Sequence, residues 1–124
     1  AMAAGLATLG LLNEEGFYPP LFTKAEQLVT GLRAEAAAAG IPFTTNHIGT
    51  MFGIFFTEES SVSNYQQVMA CDTERFNQFF HGMLAEGVYL APAAYEAGFI
   101  SAALTGQDIE QTLHAARKVM QSLN

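Results

Sequence analysis

One carboxylate stands apart in this sequence. Glu96 lies in EGVYLAPAAYEAGFIS, residues 86–101, among alanine, tyrosine, glycine and phenylalanine. Burying a lone ionised carboxylate costs a large part of the free energy that holds a small domain together. Glu96 therefore faces water at the bend made by Pro92, or it faces a site. The other residues able to do chemistry are scattered. His47, His81 and His114 are isolated, and no HExxH, CxxC or carboxylate cluster supplies metal-ligand spacing, so no metal site is expected. His47, beside Asn46, reads as a side chain at a strand end. Cys71 precedes a helix start, where a thiolate can be stabilised, but no base is paired with it and it reads as structural. Lys24 and Lys118 fall on polar faces of amphipathic helices, not among the apolar neighbours that depress a lysine pKa for Schiff-base chemistry. GLATLG and GTMFG contain glycines but match neither GxxxxGK[ST] nor GxGxxG. These residues alone compose no complete catalytic constellation.

The elements that must position Glu96 are legible from periodicity. AMAAGLATLGLL has helical composition, with Met2, Leu6 and Leu9 on one face and no capping residue before them. Thr23 and Glu26 form a capping-box pattern after Pro19 and Pro20, which opens a second helix with Leu28, Val29, Leu32 and Ala36 as its stripe. Gly40 suits its C′ position, and Pro42 stops continuation. IPFTTNHIG and TMFGIFFT then read as two strands paired antiparallel around Gly49. In the second, Met51 and Phe55 share one face and Phe52, Ile54 and Phe56 the other, so it should be central and covered on both sides. Gly53 within it marks a bend or a close approach. Ser63 and Gln66 should cap a short helix holding Tyr65, Val68 and Met69. Asp72 should cap the next helix, striped by Phe76, Phe79, Phe80, Met83 and Leu84 and ended by Gly87; such a stripe reads as core. VYL and AGFIS read as short strand-like pieces around Pro92. Thr105 and Asp108 open a last helix with Ile109, Leu113, Ala116, Met120 and Leu123 inward, and Arg117 and Lys118 near its end suit the helix dipole. The order α-α-β-β-α-α-β-α predicts an α+β fold: a small, mostly antiparallel sheet of about three strands with helices packed on it.

Composition narrows the function. The 124 residues suit one domain; half are hydrophobic, enough for a real core. The net charge of −7, with five Lys plus Arg, leaves no basic stripe for phosphates, so neither nucleic acid nor anionic membrane is an expected partner. A single cysteine permits no intrachain disulfide and fits a cytoplasmic location. No apolar run approaches the roughly 20 residues needed to span a bilayer.

The runs AMAAGLATL, AGIPFTTNHIGTMFGIFFTEE, YQQVMACDTERFNQFFHGMLAEGVYLAPAAYEAGFISAALT and DIEQTLHAARKVM together resemble the C-terminal part of the glutamate-1-semialdehyde 2,1-aminomutases. These are class III pyridoxal-phosphate enzymes of tetrapyrrole (porphyrin) biosynthesis. The motifs GVYLAP…EAGF and NHxGxMFGxFFT are the most specific parts. The resemblance implies a cytoplasmic isomerase, an intramolecular aminotransferase that converts glutamate-1-semialdehyde to 5-aminolevulinate. It implies that residues 1–124 form one C-terminal small domain of a longer fold-type I enzyme, inactive alone, with residues 1–20 a connecting helix and turn from a large domain. The parent is expected to be a homodimer and to carry pyridoxal 5′-phosphate, whose lysine and phosphate ligands belong to the large domain. Neither Lys24 nor Lys118 matches the family's lysine motif, so no catalytic or cofactor-binding residue, and no covalent cofactor, is expected in this chain.

Glu96 matches the glutamate of EAGF, near the substrate side of the cofactor pocket. Many related transaminases carry an arginine in this region to grip a substrate carboxylate. A carboxylate there suits a substrate with an amine at either of two adjacent carbons. The match is not complete: Ala94 and Tyr95 stand where relatives often have serine or glutamine and phenylalanine, and SAALT lacks a histidine often found after the motif. Two alternatives remain: a fragment of another class III ω-aminotransferase, or a free-standing α+β interaction domain.

Overall fold

The computed structural model describes residues 1–123. Its elements are α1 (Met2–Leu12), α2 (Tyr18–Ala38), β1 (Thr44–Ile48), β2 (Met51–Phe55), α3 (Tyr65–Met69), α4 (Thr73–Ala85), β3 (Gly98–Phe99) and α5 (Gly106–Gln121). The order is the expected one. The strands form one antiparallel sheet, β1-β2-β3, and the fold is the α+β layer that the sequence predicts.

Helix ends follow local chemistry, with two corrections. α2 starts at Tyr18, not at Thr23. Pro19 and Pro20 occupy its first turn, where a missing N–H costs nothing and φ is already helical. The Thr23 hydroxyl donates to the Pro19 carbonyl inside the helix instead of capping it. α3 is capped by Asn64, whose side chain accepts from the Gln67 N–H, not by Ser63. Elsewhere the signals hold. Gly40 (φ 69°) closes α2 with the Ile41 N–H donating to the Ala36 carbonyl at 2.9 Å, a six-to-one turn. Asp72 caps α4, and Thr105 with Asp108 forms a reciprocal capping box on α5.

The core lies between one face of the sheet and α2, α4 and α5. Leu28, Val29, Leu32 and Ala36 of α2 are buried as the stripe predicts, against Phe76, Phe79, Phe80 and Met83 of α4 and Ile109, Ala116 and Met120 of α5. Leu84 is the exception in the α4 stripe and remains exposed. Where α2 crosses α5, a Cβ on Gly31 would lie 2.5 Å from Leu113 methyls, so glycine permits the close approach. Arg117 also joins these helices, donating to both oxygens of Glu35 at 2.8 and 2.9 Å. Its guanidinium holds the Glu35 carboxyl below its ordinary pKa of 4.5. A depressed folded value means that the stabilisation is complete above the ordinary pKa and disappears as pH falls through the folded one. Acid unfolding of the native chain should therefore include a component that Arg117→Met removes, visible as a shallower loss of Tm below about pH 4.5 in the variant.

Two apolar surfaces stay open. β2 is central, but it is not covered on both faces. Phe52 and Ile54 are buried under the helices, while Met51 is 42% exposed and Phe55 is half-buried. Ile48 pairs with Met51 and Met51 with Phe99 across the three strands, so these side chains make an exposed apolar row. A strand that is apolar on both faces thus marks two surfaces to be covered, and the chain's own helices cover one. α1 buries no residue at all: Met2 is 91% and Leu6 74% exposed. Because α1 contributes nothing to the core, Leu6→Glu with Leu9→Glu should leave the urea midpoint unchanged within about 0.5 kcal/mol of stability. The pair should lower self-association in sedimentation, because exposed apolar patches are covered by partners. Loss of cooperative unfolding in that double variant would show that α1 is part of the core.

Candidate functional site

The segment between α4 and α5 is built by turns. Gly87 (φ 85°) ends α4, and the Val88 N–H donates to the Met83 carbonyl at 2.8 Å. Val88–Leu90, expected as strand-like, has no sheet partner, because the chain is still closing the helix there and Pro92 follows at once. The Glu96 N–H donates to the Ala93 carbonyl at 3.0 Å, which closes a tight turn. Gly98 then pairs with Phe52, and the Ile100 N–H reaches the Thr50 carbonyl at 2.9 Å. A Cβ on Gly98 would strike the Phe52 ring, so only glycine lets β3 lie this close. Glu96 is thus held two residues from a fixed strand register.

Behind this segment lies a cleft of about 440 Å³. Leu28 of α2, Phe52 and Ile54 of β2, Phe76 of α4 and Ile109 of α5 form its walls, and residues 88–92 and 96–100 close one side. Glu96 is the one ionisable carboxylate on the lining. Its side chain is exposed, and among the described residues its carboxylate has no hydrogen-bond or ion-pair partner. Glu96 is therefore exposed at a turn and also lies on the lining of a cavity. The cleft walls from α2 and α5 were not legible in the sequence. Leu28 and Ile109 belong to ordinary helical stripes, and periodicity does not separate a residue that fills a core from one that lines a gap in it.

The other candidates do not converge on the cleft. His47 is exposed on β1, His81 lies on α4 beside Phe80, and His114 lies on α5 near Glu35. No group of three or more His, Cys, Asp or Glu among the described residues is placed to hold a metal ion. The Cys71 thiol donates to the Gln67 carbonyl at 3.2 Å, and burial pushes its pKa up, against a hydrogen bond with Thr57 that lowers it. It is a protonated, structural thiol at neutral pH, not an activated nucleophile.

The lysines decide how the site relates to pyridoxal phosphate, which is held through a Schiff base. The Lys24 ammonium donates to the Leu104 carbonyl and helps to fix the turn before α5. Lys118 pairs with Glu86 at 2.6 Å and ties the end of α4 to α5. Neither lines the cleft. Neither lysine is therefore placed to anchor the cofactor at this cleft, and no cofactor-binding residue is evident among the described residues. Mixing the chain with pyridoxal phosphate should give no visible aldimine band that Lys24→Ala or Lys118→Ala removes. Such a band would contradict the geometry.

No family model matches the chain. Solved structures do. The Sphingopyxis sp. FumI protein, in its pyridoxal-phosphate internal aldimine form, is 27% identical over 98% of this chain and 26% of its own, with a TM-score of 0.76. A β-phenylalanine aminotransferase from Variovorax paradoxus is 26% identical over 84% of this chain and 24% of its own, with a TM-score of 0.70. A glutamate-1-semialdehyde aminomutase from Pseudomonas aeruginosa shares the fold at 20% identity over 86% of this chain and 23% of its own, TM-score 0.65. The chain spans about a quarter of the length of each. Fold, topology and these identities agree: the chain is homologous to the class III pyridoxal-phosphate-dependent aminotransferase and aminomutase superfamily.

Proposed function

We propose that this chain is the small domain of a longer pyridoxal-phosphate enzyme that transfers an amino group between two substrates. The observation that carries this reading is the 26% identity with the β-phenylalanine aminotransferase from Variovorax paradoxus over 84% of the chain. The FumI protein, 27% identical over 98% of the chain in its pyridoxal-phosphate internal aldimine form, supports the cofactor class. In the assembled enzyme the cofactor, bound by the large domain, supplies an electron sink for amine chemistry. The residues of this chain do what their geometry allows. Glu96 presents a fixed, unpaired carboxylate at the edge of the substrate space, where it attracts an amino group and repels a carboxylate. The apolar row Ile48, Met51 and Phe99, and the bare helix α1, would be covered by the large domain or by the second subunit of a homodimer. In this reading residues 1–20 are the connection to the large domain, and the whole protein works in the cytoplasm.

A second, narrower reading is favoured by the EAGF glutamate and the GVYLAP run: an aminomutase that converts glutamate-1-semialdehyde to 5-aminolevulinate for porphyrin synthesis. One experiment on the complete gene product separates the two. The purified enzyme is given an amino donor with and without a keto-acid acceptor, and separately glutamate-1-semialdehyde alone. Amino transfer that requires the external acceptor supports the transaminase. Formation of 5-aminolevulinate with no acceptor supports the aminomutase. A gene product that binds no pyridoxal phosphate would defeat both.

A further inference from the structure

Residues 57–71, between β2 and α4, leave the body of the domain and return to it. The Asp72 N–H donates to the Phe56 carbonyl at 2.9 Å, and Thr57 and Cys71 share a hydrogen bond, so the two ends of the excursion meet. No residue of 57–71 belongs to the hydrophobic core. Val62 is buried, but outside that core. Thr44 and Asn46 alternate onto the sheet face of Ile48, away from the helices, and they hold the excursion on that side. The Asn46 Nδ2 donates to the Val62 carbonyl at 2.6 Å, and the Thr44 hydroxyl to the Ser60 carbonyl at 3.3 Å. Farther along, α3 places the Tyr65 ring 6.4 Å from that of Tyr95. Tyr95 stands in the turn that the Glu96 N–H closes on Ala93. Ala94 packs on the core and Gly98 is fixed in the sheet, but Tyr95, Glu96 and Ala97 between them are exposed.

A segment with few buried apolar contacts opens at a lower free energy than the core beside it. The ring contact ties such a segment to the exposed stretch that carries Glu96. We propose that residues 57–71 form a detachable arm that positions the Glu96 turn, with Asn46 as its latch and Tyr65 as its positioning residue. Docked on the sheet, the arm holds Tyr65 against Tyr95 and fixes the direction of the Glu96 side chain. Released, it leaves residues 95–97 free to move while the core stays closed. The consequence for amino transfer rests on the reading of Glu96 as the edge of the substrate space, whereas the coupling between arm and turn does not.

Amide hydrogen exchange of the chain, followed by NMR, tests the coupling. A helix as short as α3 does not persist once detached. Asn46→Ala should therefore speed exchange of the Val68 and Ala70 amides about fivefold, the worth of one ordinary hydrogen bond. The Glu96 amide should speed up with them, and the Phe80 and Ala116 amides inside α4 and α5 should keep their native rates. Tyr65→Ala should speed the Glu96 amide about threefold, the scale of an exposed aromatic pair, and Tyr65→Phe should restore it. The proposal is overturned if α4 and α5 open together with the arm, if the Glu96 amide ignores either variant, or if Tyr65→Phe behaves as Tyr65→Ala. In the complete gene product, Tyr65→Ala should lower turnover about threefold and Tyr65→Phe should not. Normal turnover in Tyr65→Ala beside impaired turnover in Glu96→Gln overturns the positioning role. Normal turnover in both overturns the reading of Glu96 instead, and the exchange rates then decide the coupling separately.

Discussion

Replacing Phe79 with alanine should remove about 3–5 kcal/mol of stability, the usual cost of deleting a buried aromatic ring and leaving its cavity. Phe79 is fully buried on α4. Its ring lies 5.4 Å from that of Phe56, just past the end of β2, and Phe56 in turn meets Phe43 edge-on at 5.2 Å. The three rings therefore join α4 to the sheet and to the segment that leads into β1. A domain of this size has about 5–15 kcal/mol in total, so the loss is a large fraction of it. Urea unfolding of the native and variant chains measures it directly. Phe79→Leu, which keeps most of the volume, should cost much less. A loss below about 1 kcal/mol for the alanine variant would mean that the aromatic stripe is not the centre of the core.

That stripe shows what the sequence makes legible. Phe76, Phe79, Phe80 and Met83 are buried on one face of α4 because a period of three and four has one geometric solution in a helix. The capping box at Thr105 and Asp108 is equally local, and it forms as read. The capping-box pattern at Thr23 fails because it competes with a stronger start at Pro19 and Pro20, and a motif does not state which of two possible beginnings the chain takes. The strand pattern at Met51–Phe55 gives pairing and register, but it does not identify what covers the second face. On that face Ile48, Met51 and Phe99 stay exposed, because none of this chain's helices packs there. Glu96 was visible as an anomaly, one charge in an apolar run. The cleft beside it was not visible, because it arises from how α2, α5 and β3 fail to fill the space between them.

Glu96→Gln should separate function from folding. The substitution preserves shape and removes the charge. In this chain Glu96 is exposed and its carboxylate has no partner among the described residues, so the change in stability should stay within about 0.5 kcal/mol. The turn that holds it uses its backbone N–H, bonded to Ala93, which the substitution leaves in place. In the complete enzyme of the amino-transfer proposal, the same change withdraws a negative charge from the edge of the substrate space. Turnover should fall by about tenfold or more, equivalent to roughly 1.4 kcal/mol of barrier, with the thermal midpoint intact. Glu96→Asp, which keeps the charge on a shorter arm, should recover part of the rate. Stopped-flow turnover and thermal melts on the three proteins provide both readouts. The reverse pattern decides against the proposal: an isolated chain weakened by more than about 2 kcal/mol beside a complete enzyme with normal kinetics would make Glu96 a structural residue whose charge is paired in the fold.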